Sequence, residues 1–410
     1  MLTAPRWNTP PTRSDWVAAR LISWEPSPPA LPGLQPARHS FEERPLLVFW
    51  ETTVACPLSC RHCRASALQH PLPGQLSTAQ AHRLMEQVVE MGPPRPVLVL
   101  TGGDCLSRPD LLELTGYARE LGLRVALSPS VSSHLDRKHM EHFRELGVRA
   151  VSISLDGALA ATHDAVRGTP GHFQLTVRSL RWLIEMGFRV QVNTTVMEAN
   201  LEELADIAAL LVDLRVPIWE VFFLIQVGRG GTVGAPSAAA NEDICHFLYD
   251  VSAHPLLVRT VEAPFFRRVV AQRRSAGEES DPTAQYRLGP LYQRLHDRLD
   301  GRLGVGEREP RPQTVGTRDG QGVIFVAHDG TVRPSGFLPL AVGSVLEQDL
   351  GEVYRTSPLL RRIRSGDFSG RCGVCPYQKL CGGSRARAFA ATGDPLGEDP
   401  GCQFRPPLGS

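Results

Sequence analysis

The sequence predicts an α/β fold, a partial (β/α)6 barrel followed by a smaller cysteine-rich domain. Three observations predict it. From Leu46 onward, short apolar runs alternate with longer amphipathic stretches, the pattern of βα units around a parallel sheet. Six such units are readable, too few for a closed eight-stranded barrel, and polar or glycine-rich residues gather just after the strand ends, the edge that carries ligands in parallel α/β folds. Seven of the nine cysteines fall into two tight groups, one behind the first strand and one near the C-terminus.

The elements follow in order. Prolines at 5, 10, 11, 26, 28, 29, 32, 36 and 45 make residues 1–45 a loosely ordered leader, with a short helix at Ser14 to Ile22. Strands are expected at Leu47 to Thr53, Val97 to Thr101, Arg124 to Ser128, Ala150 to Leu155, Arg189 to Val196 and Ile218 to Leu224. Helices are expected at Ala79 to Met91, Pro109 to Leu121, Asp136 to Leu146, Phe173 to Met186 and Leu201 to Leu211, with a sixth after Asn241. Several of them stop at a glycine suited to a left-handed cap: Gly92, Gly122, Gly147 and Gly187. Arg229 to Ala240 is rich in glycine and alanine and reads as a mobile loop, and the charged stretch Arg267 to Arg311 reads as partly helical. A strand pair, Val323 to Ala327 and Thr331 to Pro334, is joined by a hairpin-type Asp329-Gly330, and a helix over Leu350 to Arg364 precedes the second cysteine group. The expected divisions are a leader (1–45), a barrel core (46–240), a helical bridging region (241–320) and a C-terminal domain (321–410), since 410 residues exceed what one core holds.

Lys+Arg 44 against Asp+Glu 43 leaves a net charge of +1, which argues against a nucleic-acid footprint or a polybasic membrane surface. No apolar run reaches 18 residues and the N-terminus lacks the pattern of a secretory signal, so the expectation is a cytoplasmic protein without a membrane span. In that reducing compartment, clustered cysteines in odd number read as metal ligands rather than disulfides.

Cys56-Pro57-Leu58-Ser59-Cys60-Arg61-His62-Cys63 directly follows the first strand. Three thiolates can hold three corners of a 4Fe-4S cluster, and since such clusters usually take four protein ligands, one iron stays open. Taken alone, the loop could equally be a zinc site short of a ligand. After the second strand stands Thr101-Gly102-Gly103-Asp104, whose glycines allow close backbone approach and whose acid can accept from an ammonium; by itself it is a plain βα turn. Ser152-Ile153-Ser154 and Gln191-Val192-Asn193 turn small polar side chains to the barrel interior, where a packed core would show apolar ones. Arg167, in His163 to Gly168, is either a carboxylate-binding fork or a solvated arginine. Cys105 and Cys245 read as buried apolar residues, with a reactive role for Cys105 as the rarer alternative.

In this order the motifs resemble the radical S-adenosylmethionine (SAM) superfamily, which has a partial TIM-like barrel. The resemblance implies that SAM chelates the open iron of the cluster on Cys56, Cys60 and Cys63. It also implies SAM contacts from Gly102, Gly103, Asp104, Ser154, Arg167 and Asn193. Asp104 stands where the family's Gly-Gly-Glu has Glu, which moves part of the amine binding to backbone carbonyls. No catalytic side chain is assigned.

Near the C-terminus stand Cys372, Cys375, Cys381 and Cys402. Spacing alone leaves a structural zinc and an iron-sulfur cluster equally open. The wording from Cys375 to Ala388, with Thr392 to Asp394 and Glu398 to Cys402, resembles the SPASM/twitch-type domain of radical SAM maturases, which implies an auxiliary 4Fe-4S cluster and two clusters in all. Many such relatives carry Cys where this chain has Ser384. Phe41 to Leu46 and Arg385 to Asp399 are similar to the haem-biosynthesis maturase subgroup, although Val54 and Cys105 stand where Arg and Pro are common.

The expectation is therefore an enzyme that cleaves SAM to a 5'-deoxyadenosyl radical and abstracts a substrate hydrogen, with flavodoxin or ferredoxin as electron donor. Its substrate is a tetrapyrrole or another small molecule, or alternatively a ribosomally made peptide. The leader does not resemble a leader-binding winged helix, which tilts the choice to the small molecule. A reading from another class is a zinc- or cluster-stabilised binding protein without catalysis.

Overall fold

β1 (Leu47–Glu51) receives β2 (Val97–Thr101) on one side and β8 (Val323–Val326) on the other, all three parallel, so the first strand lies inside the sheet. The computed structural model describes residues 40–276, 281–312 and 316–406. Most of the expected leader, with its helix at Ser14 to Ile22, lies outside the described residues. The remaining strands are β3 (Arg124–Leu127), β4 (Ala150–Ser154), β5 (Arg189–Val196), β6 (Ile218–Phe223), β7 (Leu257–Val261), β9 (Thr331–Arg333) and β10 (Gly343–Ser344). They form one ten-stranded sheet in the order β10-β9-β8-β1-β2-β3-β4-β5-β6-β7, parallel from β8 to β7 and antiparallel across β8-β9-β10. Its two edges, β7 and β10, do not pair with each other, so the barrel is open.

Alternation along the strands divides the two faces. On β5, Val190, Val192, Thr194 and Val196 are buried, whereas Gln191, Asn193 and Thr195 stay half-buried on the inner face. Helices cover the outer face. Thr78–Glu90 starts at a capping box between Ser77 and Gln80 and buries Ala81, Leu84, Met85 and Val88 at 3.6-residue spacing. Each large apolar side chain so buried contributes about 1.5–3 kcal/mol relative to exposure. The glycines at 92, 122, 147 and 187 do take positive φ at helix ends.

Three expectations need correction, and one is met. A seventh strand, β7, lies in the stretch read as helical: Leu257-Val258-Arg259-Thr260-Val261 is short and carries an arginine on its half-buried face, which hides its alternation. The pair β8-β9 forms as expected around Asp329-Gly330 and extends the barrel sheet at β1. The helix over Leu350 to Arg364 is two, Leu350–Thr356 and Pro358–Ser365, because Pro358 cannot continue the ladder and starts a new helix at its first turn. The loop read as mobile contains a 3-10 turn, Gly228–Thr232, pinned on the first cysteine loop: the Arg229 backbone donates to the Cys63 carbonyl (3.0 Å) and its side chain to Cys60 (2.9 Å) and Ala67 (2.8 Å).

Candidate functional site

Cys56, Cys60 and Cys63 follow β1 at the C-terminal edge of the sheet and pack with Leu58 and Ala67 as one small cluster. Cys56 and Cys60 are buried and Cys63 is half-buried. The loop is held by its neighbours. Gly103 and Asp104 donate backbone N–H to the carbonyls of Thr53 (2.8 Å) and Ala55 (2.7 Å). A Cβ at Gly102 would come within 2.4 Å of the Thr53 carbonyl oxygen, and one at Gly103 within 2.5 Å of that of Ala55. The two glycines thus admit the loop's own backbone, a reason distinct from the ligand approach read in the sequence.

Asp104 is fully buried. Its carboxylate accepts from the backbone of Leu106 and Ser130 (both 3.2 Å) and from the Ser132 hydroxyl (2.7 Å). Through Ser130, whose hydroxyl lies 3.5 Å from the Cys56 sulfur, it orders the turn behind β3 against the cysteine loop. Ser154 and Asn193 are direct partners across β4 and β5. Both are half-buried on the inner face. The Asn193 Oδ1 accepts from Gln191 Nε2 (2.8 Å), while its Nδ2 makes no bond among the described residues.

Arg167 closes the helix Ala160–Arg167, which stops at the left-handed Gly168 and docks on the loop through Arg61 N–H to the Val166 carbonyl (2.9 Å). The solvated reading of this arginine does not hold. It is buried, with one guanidinium nitrogen 2.5 Å from Asp156 and another 3.7 Å from the Cys60 sulfur. Burial opposes the charge on Asp156, but Arg167 and the nearby His62 hold its carboxyl below the usual range. Burial lowers His62 to about 4, so its 3.5 Å approach to Asp156 is made by a neutral ring at pH 7. Behind this pair, the Asp156 backbone N–H donates to His163 Nδ1 (3.1 Å). That leaves His163 Nε2–H for His172 Nδ1 (2.8 Å) and His172 Nε2–H for the Val131 carbonyl (3.0 Å), which fixes both tautomers.

The second cysteine group is assembled around helix Arg385–Thr392. Cys372, Cys375, Cys381 and Cys402 all line one small cavity with Arg268, Arg371, Tyr377 and Phe404. Arg385, fully buried, lies 3.6 Å from the Cys372 sulfur. Burial pushes the free thiols of Cys381 and Cys402 up to about 12 and about 11. Ser384 caps the helix by accepting from Arg387 N–H (3.0 Å) and donates to the buried Glu262. Cys105 and Cys245 are fully buried, and burial pushes both thiols well above the ordinary value, which removes the reactive reading of Cys105.

Both cysteine groups fit an anionic metal cluster. Arg167 Nε and Arg229 Nη2 at the first group, and Arg268 Nε at the second, are buried without a hydrogen-bond partner among the described residues, a cost that an anionic group would remove. Among the described residues no three His, Cys, Asp or Glu side chains are grouped as ligands around a single ion. Sequence reasoning missed Asp156, His62, Ser130 and Arg229. Only His62, inside the cysteine loop, stood where a signal could have been found.

Residues 50–211 match the family model described as the radical SAM superfamily. The chain is 36% identical to an AdoMet-dependent heme synthase of Oleidesulfovibrio alaskensis, over 88% of this chain and 87% of that protein. It is 30% identical to a pre-heme d1 synthase of Dinoroseobacter shibae, over 87% and 85%. Among solved structures, Streptococcus suis SuiB bound to S-adenosylmethionine superposes with a TM-score of 0.62 at 15% identity, over 88% of this chain and 78% of that one.

Proposed function

Because this chain belongs to the radical SAM superfamily, in its haem-biosynthesis maturase subgroup, we propose that its substrate is a tetrapyrrole bearing carboxylate side chains. It is an enzyme whose cofactors are SAM and a 4Fe-4S cluster. When bound, the reduced cluster supplies the electron that splits SAM into methionine and the 5'-deoxyadenosyl radical that takes a hydrogen from the substrate.

Cys56, Cys60 and Cys63 hold that cluster, and the observation that carries this assignment is their convergence at the end of β1 with the Arg167 guanidinium beside one sulfur. Arg167 places fixed positive charge against the thiolates. The backbone at Gly102 and Gly103 would take the SAM amine, while Asp104, occupied by the turn behind β3, positions that backbone. Ser154 and Asn193 offer the neighbouring pair of polar contacts. Cys372, Cys375, Cys381 and Cys402 hold an auxiliary 4Fe-4S cluster, supported by their sharing one cavity. A flavodoxin- or ferredoxin-type protein delivers electrons, and the reaction runs in the cytoplasm; no helix among the described residues is long and apolar enough to cross a membrane.

The test is anaerobic reconstitution, iron and sulfide analysis, and a dithionite-driven assay for 5'-deoxyadenosine, with porphyrin binding followed by absorbance. About eight irons, SAM cleavage and a porphyrin-dependent spectral change are expected. Zinc in both groups, or a chain that answers to a precursor peptide and to no porphyrin, overturns the reading.

A further inference from the structure

At the mouth of the barrel a line of planar groups runs from the cysteine loop to β6. The guanidinium carbon of Arg64, the residue after Cys63, lies 4.6 Å from the ring centre of Phe325 on β8 and 6.0 Å from that of Phe337. Phe337 in turn meets Phe222 of β6, with ring centres 6.1 Å apart and planes at 52°. Phe325 is buried, but Phe337 and Phe222 keep part of their surface open.

Arg64 is similarly under-used. Its side chain is 19% exposed, and its contacts to Glu51 Oε1 and the Gly336 carbonyl are both long, at 3.4 Å. A guanidinium has five N–H donors, so capacity remains for an incoming carboxylate. The glycine at 336 leaves room for this placement, because a Cβ there would stand 3.0 Å from the Arg64 guanidinium carbon and press the side chain aside. The line therefore offers two apolar faces and one cation side by side, adjoining the third cysteine of the loop.

We propose that Phe222, Phe337 and Arg64 form the substrate-recognition site: the flat face of a macrocycle lies on the two rings and one of its carboxylates meets Arg64. The inference rests on the tetrapyrrole reading and adds the residues that select it. Stacking and a charge-assisted bond are the two interactions that such a ligand, apolar in its body and anionic at its rim, can make at once.

The experiment titrates the reconstituted full chain with iron coproporphyrin III, following the Soret band, with iron content and SAM affinity measured on the same samples. Phe337→Ala and Arg64→Gln are each expected to weaken porphyrin binding about tenfold while iron content and SAM affinity hold. Arg64→Lys, which keeps the charge and loses the planar fork, should fall between Arg64→Gln and wild type. If wild type does not bind the porphyrin, the tetrapyrrole reading itself fails. If wild type binds and Phe337→Ala binds equally well, the recognition site is elsewhere and this inference is overturned; Phe337 lies outside the cysteine loop, so that arm stands even if the Arg64 variants lose iron.

Discussion

The Arg167 guanidinium reaches the Cys60 sulfur across 3.7 Å from a helix that is itself docked on the loop carrying that sulfur. Its other end holds Asp156, so one side chain ties a strand end, a helix end and the cysteine loop together.

Arg167→Met leaves a fully buried carboxylate without its counter-ion. Removing one member of a buried pair costs about 3–5 kcal/mol, which urea unfolding of the metal-free chain should register. Adding Asp156→Leu should recover part of the loss, since the stranded charge is then gone. Equal midpoints for Arg167→Met and wild type would show that the pair clamps nothing.

The two cysteine groups should be separable by iron content. Cys60→Ala is expected to lower the count from about eight to about four and to abolish SAM cleavage. Cys381→Ala should lower it by the same amount yet leave substrate-free SAM cleavage measurable. An unchanged count in Cys381→Ala would remove that residue from the ligand set.

Gly103→Ala forces a methyl group against the Ala55 carbonyl, and overpacking of this kind costs about 1–3 kcal/mol. Because the displaced backbone is that of the cysteine loop, the variant should also lose iron at the first group faster under a chelator. Stability loss without faster iron release would separate the turn from the loop.

His328 and Glu51 form a partly buried pair 3.3 Å apart with opposite pH dependence. The bond to Glu51 raises His328 above 6.5, so its contribution is full below pH 6.5 and disappears as pH rises through the raised value. Burial works to raise Glu51, but His328 and Arg64 hold it below 4.5, so its contribution is present above pH 4.5 and is lost as pH falls through the lowered value. The pair is therefore strongest between pH 4.5 and 6.5. His328→Gln should destabilise the chain by up to about 1 kcal/mol at pH 5.5 and by less at pH 8.5. A penalty that grows with pH would contradict the assignment.

The strands that could be read in the sequence are those whose alternation is clean, as in Gln191 to Val196, or whose apolar run is unbroken, as in β2. β7 escaped because five residues with a central arginine look the same in a helix. The cysteines were legible because ligand spacing is local. Arg167 was named, but its partner Asp156 was not, since a βα turn ending Leu155-Asp156-Gly157 carries no sign that its acid will be buried against a helix eleven residues on. Phe222 and Phe337 lie 115 positions apart in the numbering, and only the return of β8 to β1 brings them together.

That return also sets a timetable. Arg64 leaves the ribosome early, whereas the Gly336 carbonyl it contacts is made 272 residues later. At about 5–20 residues per second, on the order of tens of seconds pass before that wall of the first cysteine loop exists. During synthesis the cysteine loop therefore stays without the wall that β8 and its turn later supply, so its final shape is reached only after the C-terminal quarter of the chain has been made.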